Sequence, residues 1–211
     1  MTTPKLINPL QQPVNILLVG VGGQGTILAS NVLAELGLRL GLDVKQAEIH
    51  GMSQRGGSVV SHLRWGEKVF SPIIPPSEAD ILLAFEKLEA ARFSNHMRLG
   101  GIALVNDHNI NPMTVSAGLV EYPDHAQIQG ILNRVTDYIY WINGLKIAEE
   151  LGNTRTANVV LLGALSALMA IDLTDWITVI QARLPAKVVE VNLKAFQAGR
   201  QALIAKALEK L

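Results

Sequence analysis

The sequence predicts an α/β fold: a Rossmann-like, doubly wound, mostly parallel sheet with a β-hairpin excursion and a helical C-terminal half. Three observations predict it. Uncharged apolar runs at residues 16–19, 81–85 and 102–105 read as strands buried on both faces by flanking helices. A glycine cluster follows the first run at once, with Gly20, Gly22 and Gly25 in G-x-G-x-x-G spacing. Beyond residue 142 the pattern is helical almost to the end.

Residues 1–13 are a polar, proline-punctuated lead-in expected to run extended over a surface, and residues 14–211 are expected to form one domain. No linker, internal repeat or low-complexity segment divides them. The first strand, Ile16-Leu17-Leu18-Val19, delivers the chain into the glycine cluster, where Gly23 adds a further position able to turn with positive φ. Past Gly25, Ile27, Leu28, Val32, Leu33 and Leu36 recur at helical spacing. The loop therefore feeds a helix N-terminus, whose unpaired N–H groups and roughly half a unit of positive dipole charge can hold an anion. A second strand ends near Glu48, where a dinucleotide-binding unit carries its ribose-binding acid about 20 residues after the glycines.

A second glycine loop comes next: His50, Gly51, Met52, Ser53, Gln54, Arg55, Gly56 and Gly57. Two polar glycine loops at the ends of neighbouring strands argue against a plain NAD site, although a free-standing NAD(P)-type module stays open as an alternative. Alternation over residues 58–65 makes another strand, and the Gly66-Glu67 turn places it in a hairpin with residues 68–70. Pro72, Pro75 and Pro76 hold an extended crossing. A strand at 80–85 leads to a helix at 86–97, ended by Gly100-Gly101, and then to the strand at 102–105.

Asp107, His108, Asn109, Asn111 and Pro112 mark a loop just past that strand's end. Such a position is either a ligand site of an α/β sheet or an ordinary polar loop. A last short strand is expected at 120–123, a helix at 128–135 and a brief strand or connection at 138–141. Helices follow at 142–151, 156–171, 174–182 and 187–208. The 156–171 helix is so apolar that no side of it can face water.

With 211 residues, 49% of them hydrophobic, the chain is long enough for one well-buried core. Lys plus Arg and Asp plus Glu both number 18, so the basic excess of a general nucleic-acid binder is missing. Charged residues make up only 17%, which reflects either a generous core or an apolar surface covered by a partner chain. The chain has no cysteine, which removes disulfides, a thiolate nucleophile and any cysteine-ligated cluster of its own. His62, His96, His108 and His125 are scattered and form no metal-binding spacing. The start lacks the apolar run of a signal peptide, and the longest apolar block, 159–171, falls short of the roughly 18 to 20 residues of a bilayer span. A cytoplasmic protein without membrane contact is expected.

Among candidate functional residues Arg55 stands first. Its planar fork suits a phosphate or carboxylate, with glycines beside it that let an anion reach the backbone, or else it ties two loops together. His50 is a candidate for proton transfer near neutral pH, against a purely structural donor role. Ser53 and Gln54 are expected to hydrogen-bond a ligand or a facing subunit; no G-x-S-x-G marks a serine nucleophile. Asn153, Arg155 and Asn158 fit helix capping.

The segments GVGGQGTILAS and EIHGMSQRGGSVVSHLR together resemble the gamma-type domain of the pyruvate/2-oxoacid:ferredoxin oxidoreductases. Within that superfamily the likeness is greatest to the beta-subunit family of indolepyruvate ferredoxin oxidoreductases. It continues through Ser71-Pro72, Ile74-Pro75, the ADILLAFE run at 79–86, Gly152-Asn153-Thr154-Arg155 and the NVVLLG run at 158–163, so it covers the chain after Gln12. The resemblance implies a large alpha subunit carrying thiamine diphosphate, Mg2+ and iron–sulfur clusters, with ferredoxin as electron acceptor and coenzyme A as co-substrate. This chain would bind none of those cofactors alone, since it lacks the cysteines and the G-D-G motif that holds the thiamine's magnesium. It would be the non-redox subunit, its residues Gly22, Gly23, Gln24, Gly25, Gly51, Met52, Ser53, Gln54, Arg55, Gly56 and Gly57 facing substrate, coenzyme A or the partner. A gamma subunit for pyruvate or 2-oxoglutarate is the neighbouring alternative.

Overall fold

The computed structural model describes residues 5–50 and 57–208. Of the second glycine loop, Gly51, Met52, Ser53, Gln54, Arg55 and Gly56 lie outside the described residues, and only Gly57 and the backbone of His50 fall within them. Six strands form a single sheet: β1 (Val14–Val21), β2 (Asp43–His50), β3 (Ser58–Gly66), β4 (Ala79–Ala84), β5 (Met97–Asn106) and β6 (Ile139–Ile142), in the order β2-β3-β1-β4-β5-β6. β1, β4, β5 and β6 run parallel, while β3 lies antiparallel between β1 and β2.

Successive side chains of a strand point to opposite faces, so a strand covered on both sides must be apolar throughout. Ile16 and Leu18 of β1, Ile81 and Leu83 of β4 and Ile102 and Leu104 of β5 pack on one face against α1 (Thr26–Arg39), α6 (Ala157–Ser166), α7 (Leu173–Arg183) and α8 (Ala186–Leu208). Leu17, Val19, Leu82, Ala84, Ala103 and Val105 pack on the other against α2 (Lys87–Arg92) and α4 (His125–Asn133). The remaining helices, α3 (Met113–Ser116) and α5 (Gly144–Glu150), are short. Among the described residues no helix is long and apolar enough to cross a membrane.

Every residue of α6 after Ala157 is buried, as its uniformly apolar sequence requires. Gly163 and Gly199 let α6 and α8 cross backbone to backbone. A Cβ on Gly163 would come within 2.7 Å of the Phe196 carbonyl carbon, and one on Gly199 within 2.7 Å of that of Val160.

The structure departs from the sequence reading in several places. β3 does not fold back on residues 68–70, which form no strand; its hairpin partner is the preceding β2, and its other edge pairs along all of β1. That placement buries Val59, Val60, Leu63 and Trp65, which a partner of three residues would have left open. Gly100 and Gly101 lie inside β5, because α2 ends at Arg92 and a 3₁₀ turn (Ser94–His96) carries the chain straight into the strand. Residues 120–123 form no strand, and Tyr122 serves instead through its hydroxyl. The lead-in does not lie wholly on the surface: Ile7 is fully buried and bridges to Met169, with its amide donating to Leu168 O (2.9 Å) and its carbonyl accepting from Ala170 N (2.8 Å).

Candidate functional site

The chain leaves β1 toward β2 and β3 on one side, whereas β4 lies on the other, and α1 and α2 cover opposite faces. The C-terminal ends of β1 and β4 thus form the crevice where strand order reverses, the usual ligand position in open α/β sheets. A cleft of about 510 Å³ opens there, between the first glycine loop, Phe85 after β4, Asn106 and His108 at the end of β5, and Thr154 to Asn158 leading into α6.

Short polar side chains set its floor. Gln24 accepts from Val21 N (2.8 Å) and donates to Phe85 O (2.8 Å), which staples the glycine loop to the end of β4. Asn106 donates to the same Phe85 O (3.1 Å) and accepts from Gly144 N (2.9 Å), extending the tie to α5. Gly23 and Gly25 have φ of +103° and +78°, left-handed values that glycine adopts without strain. Gly25 caps α1 without a side chain, and α1 has no acid in its first turn. The Asn158 carboxamide lies against Gly25, donating to its carbonyl (3.3 Å).

The lining contains helix-end amides, three carboxamides, a histidine and an exposed arginine, and no carboxylate. Asp107, at the end of β5, is turned to Lys87 Nζ (3.0 Å) instead. Arg155 sits on the 3₁₀ turn (Thr154–Thr156) at the mouth, without a carboxylate partner among the described residues. Positive helix dipole, free donors and an unpaired guanidinium favour an anionic ligand.

Gly23, Gln24 and Gly25 line the cleft, and Gly22 N donates to Gly57 O (2.9 Å), so the described ends of the two glycine loops meet at this rim. His108 joins the cleft, whereas Asn153 caps the 3₁₀ turn by accepting from Arg155 N (3.1 Å). The other described histidine side chains lie elsewhere. His62 is buried on β3, its Nδ1 accepting from Ile74 N (3.2 Å); desolvation, and then the nearby His96, push its pKa below the usual value. His125 lies tilted against the Trp141 ring, their centroids 4.4 Å apart. No group of three His, Asp or Glu among the described residues could hold a metal ion. Glu48 is separated from β1 by the intervening β3 and accepts from Gln46 Nε2 (3.2 Å), which removes it by one strand spacing from the place of a ribose-binding acid.

Sequence reasoning missed Asn106, Glu86 and Tyr122. Asn106 carried a legible signal, a carboxamide directly after a buried strand at the ligand-binding edge; Tyr122 carried none, since its partner is 36 positions away.

A smaller cavity of about 260 Å³ lies on the α2 side, lined by Val21, Ser58, Glu86, Glu89, Arg92 and Ile110 among others. Glu89, buried, accepts there from Ser58 Oγ (2.5 Å) and Arg92 (2.7 Å).

Comparison with known proteins gives likenesses of family, of sequence and of structure. Residues 15–202 match the pyruvate ferredoxin/flavodoxin oxidoreductase family. The chain is 40% identical over 191 residues to indolepyruvate oxidoreductase subunit IorB of Thermococcus kodakarensis, covering 89% of this chain and 95% of that protein. It is 29% identical to 2-oxoglutarate synthase subunit KorC of Methanothermobacter thermautotrophicus, covering 90% and 94%. Among solved structures it resembles a keto/oxoacid ferredoxin oxidoreductase gamma subunit from Geobacter sulfurreducens, with a TM-score of 0.67, 25% identity and coverage of 91% and 99%.

Proposed function

The chain belongs to the pyruvate ferredoxin/flavodoxin oxidoreductase family, and from that premise we propose that it is the small, non-redox subunit of an indolepyruvate-type 2-oxoacid:ferredoxin oxidoreductase. The observation that carries the choice of oxoacid is the 40% identity to an indolepyruvate oxidoreductase subunit along nearly its whole length, against 29% for a 2-oxoglutarate counterpart. The enzyme would oxidatively decarboxylate aryl 2-oxoacids to acyl-coenzyme A, with ferredoxin as acceptor, in the cytoplasm.

With no cysteine in the sequence this polypeptide lacks thiolate ligands for an iron–sulfur cluster, and it lacks the G-D-G motif for the thiamine's magnesium, so thiamine diphosphate, its Mg2+ and the clusters would belong to a large alpha subunit. When bound, the thiamine supplies the electron sink for loss of carbon dioxide. The work of this chain is binding, orientation and exclusion of water. The α1 amides, Arg155 and Asn158 would hold an anionic group of coenzyme A or substrate in the cleft. The two glycine loops, Gly22 to Gly25 and Gly51 to Gly57, would close over the partner's reactive centre, with Arg55 on the anion and His50 as a candidate proton carrier.

Co-expression with the large subunit tests this. The complex should decarboxylate indolepyruvate in preference to 2-oxoglutarate, whereas the isolated chain should show neither activity nor visible cluster absorption. Full turnover by this polypeptide alone would overturn the reading. Tight NADH binding by calorimetry would instead favour a nucleotide-binding module, which the position of Glu48 disfavours.

A further inference from the structure

Glu86 follows Phe85 at the end of β4 and is only 1% exposed, yet the neighbouring cations are engaged elsewhere, Lys87 with Asp107 and Arg92 with Glu89. Three neutral donors satisfy it. Oε2 accepts from Glu89 N (2.9 Å), the capping bond of α2, while Oε1 accepts from Ile110 N (3.1 Å) and from the Tyr122 hydroxyl. The Tyr122 oxygen in turn accepts from Leu88 N (3.1 Å), which directs its proton at Glu86. Burial, and then the bond to Glu86, push the phenol's pKa well up, so it remains a donor throughout the neutral range.

Donors at both ends of the side chain explain why a carboxylate stands here. A glutamine, turned either way, would point an NH2 group at one of them. The bonds to Oε1 share a second property: they grip the two ends of one segment. Between Ile110 and Tyr122 the chain buries little of its own; α3 has no buried residue, and Met113, Leu119 and Val120 are 88%, 74% and 56% exposed. Its hold on the body comes from its ends, through Glu86 and, just upstream, through Lys87 N donating to His108 O (3.2 Å). His108 and Ile110 at its start are part of the cleft wall.

We propose that Glu86 is a positioning residue for the cleft: by accepting from Ile110 and Tyr122 at one oxygen, it fixes both ends of the 110–122 segment and so sets the wall against which the anionic co-substrate is held. The role of the wall rests on the functional reading given above; the clamp itself does not.

Tyr122→Phe removes the donor at nearly constant volume and keeps the Glu86–Glu89 N capping bond of α2, although Leu88 N loses its acceptor; it is paired with Glu86→Gln. Hydrogen exchange of the full-length chain should rise about tenfold or more at residues 107–121 in Tyr122→Phe, the size expected for loss of one hydrogen bond to a charged group, with β4 and β5 unchanged. In the complex reconstituted with the large subunit, KM for coenzyme A should rise about tenfold while kcat stays within about twofold. Unaltered exchange at 107–121, or a rise spread equally over the whole chain, would overturn the clamp. Raised local exchange with unchanged KM would overturn its bearing on the cleft. Should the wild-type complex prove indifferent to coenzyme A, the functional reading fails and the exchange result decides the clamp by itself.

Discussion

At the scale of single residues, the cleft depends on contacts that leave no room for change. Gly25 combines a φ of +78° with a Cβ position that would meet the Asn158 side chain, its Cγ only 3.0 Å away. Gly25→Ala should lower stability by about 1–3 kcal/mol in a urea titration and loosen the α1 N-terminus. Arg155→Ala should do the opposite. The side chain is exposed and has no carboxylate partner among the described residues, so the melting temperature should hold, while binding of an anionic ligand measured by calorimetry weakens by about 1.5–3 kcal/mol. Arg55→Ala should assemble normally with the large subunit and lose roughly 2 kcal/mol of transition-state stabilisation in kcat/KM; unchanged kinetics would give that arginine a structural role. Much of this scale was legible in advance. The spacing Gly22, Gly23, Gly25 announced both a tight turn and a helix end, and the two positive φ values lie within it. The Glu86–Tyr122 bond was not legible, because nothing in local periodicity pairs a buried acid with a loop tyrosine.

At the scale of elements, α6 and α8 cross with backbone lying against backbone. Since each glycine faces the other helix's backbone, a methyl group cannot be absorbed by a rotamer change, and the helices must separate. Gly163→Ala or Gly199→Ala should each cost about 1–3 kcal/mol or more in denaturant melts with an unchanged slope, and the double variant should cost less than the sum, because the first separation makes room for the second methyl. The apolarity of residues 156–171 already foretold a central helix, although α6 ends at Ser166 and Ala170, beyond it, is exposed. The pairing of β3 escaped prediction for a different reason. Alternation marks a strand and its faces, whereas the choice of neighbours is settled by which ladder buries more, and β3 gains both β1 and β2 by lying between them.

For the molecule as a whole, the sheet divides chemistry from packing. The cleft occupies the C-terminal ends of the parallel strands, and His62 is buried away from it, beside His96. Both imidazoles have folded pKa values pushed below 6.5, chiefly by desolvation. The folded state therefore binds fewer protons than the unfolded one as the solution is acidified. Their contribution is fully present above pH of about 6.5 and is lost as pH falls through the lowered folded values. Melting temperature should accordingly be flat above neutrality and decline below about pH 6.5, and His62→Gln should make that decline shallower. An identical acid limb in the variant would assign the loss to carboxylates.

Ile7 joins the opening of the chain to the turn after α6, through backbone bonds to Leu168 and Ala170. On the ribosome, that junction cannot form until residues 168–170 have emerged, so the segment around Ile7 stays uncovered until then. A bulky tag placed against Lys5 would compete for the same seat, and deletion through Ile7 would leave an apolar notch between α6 and α7 open to proteases and to chaperones.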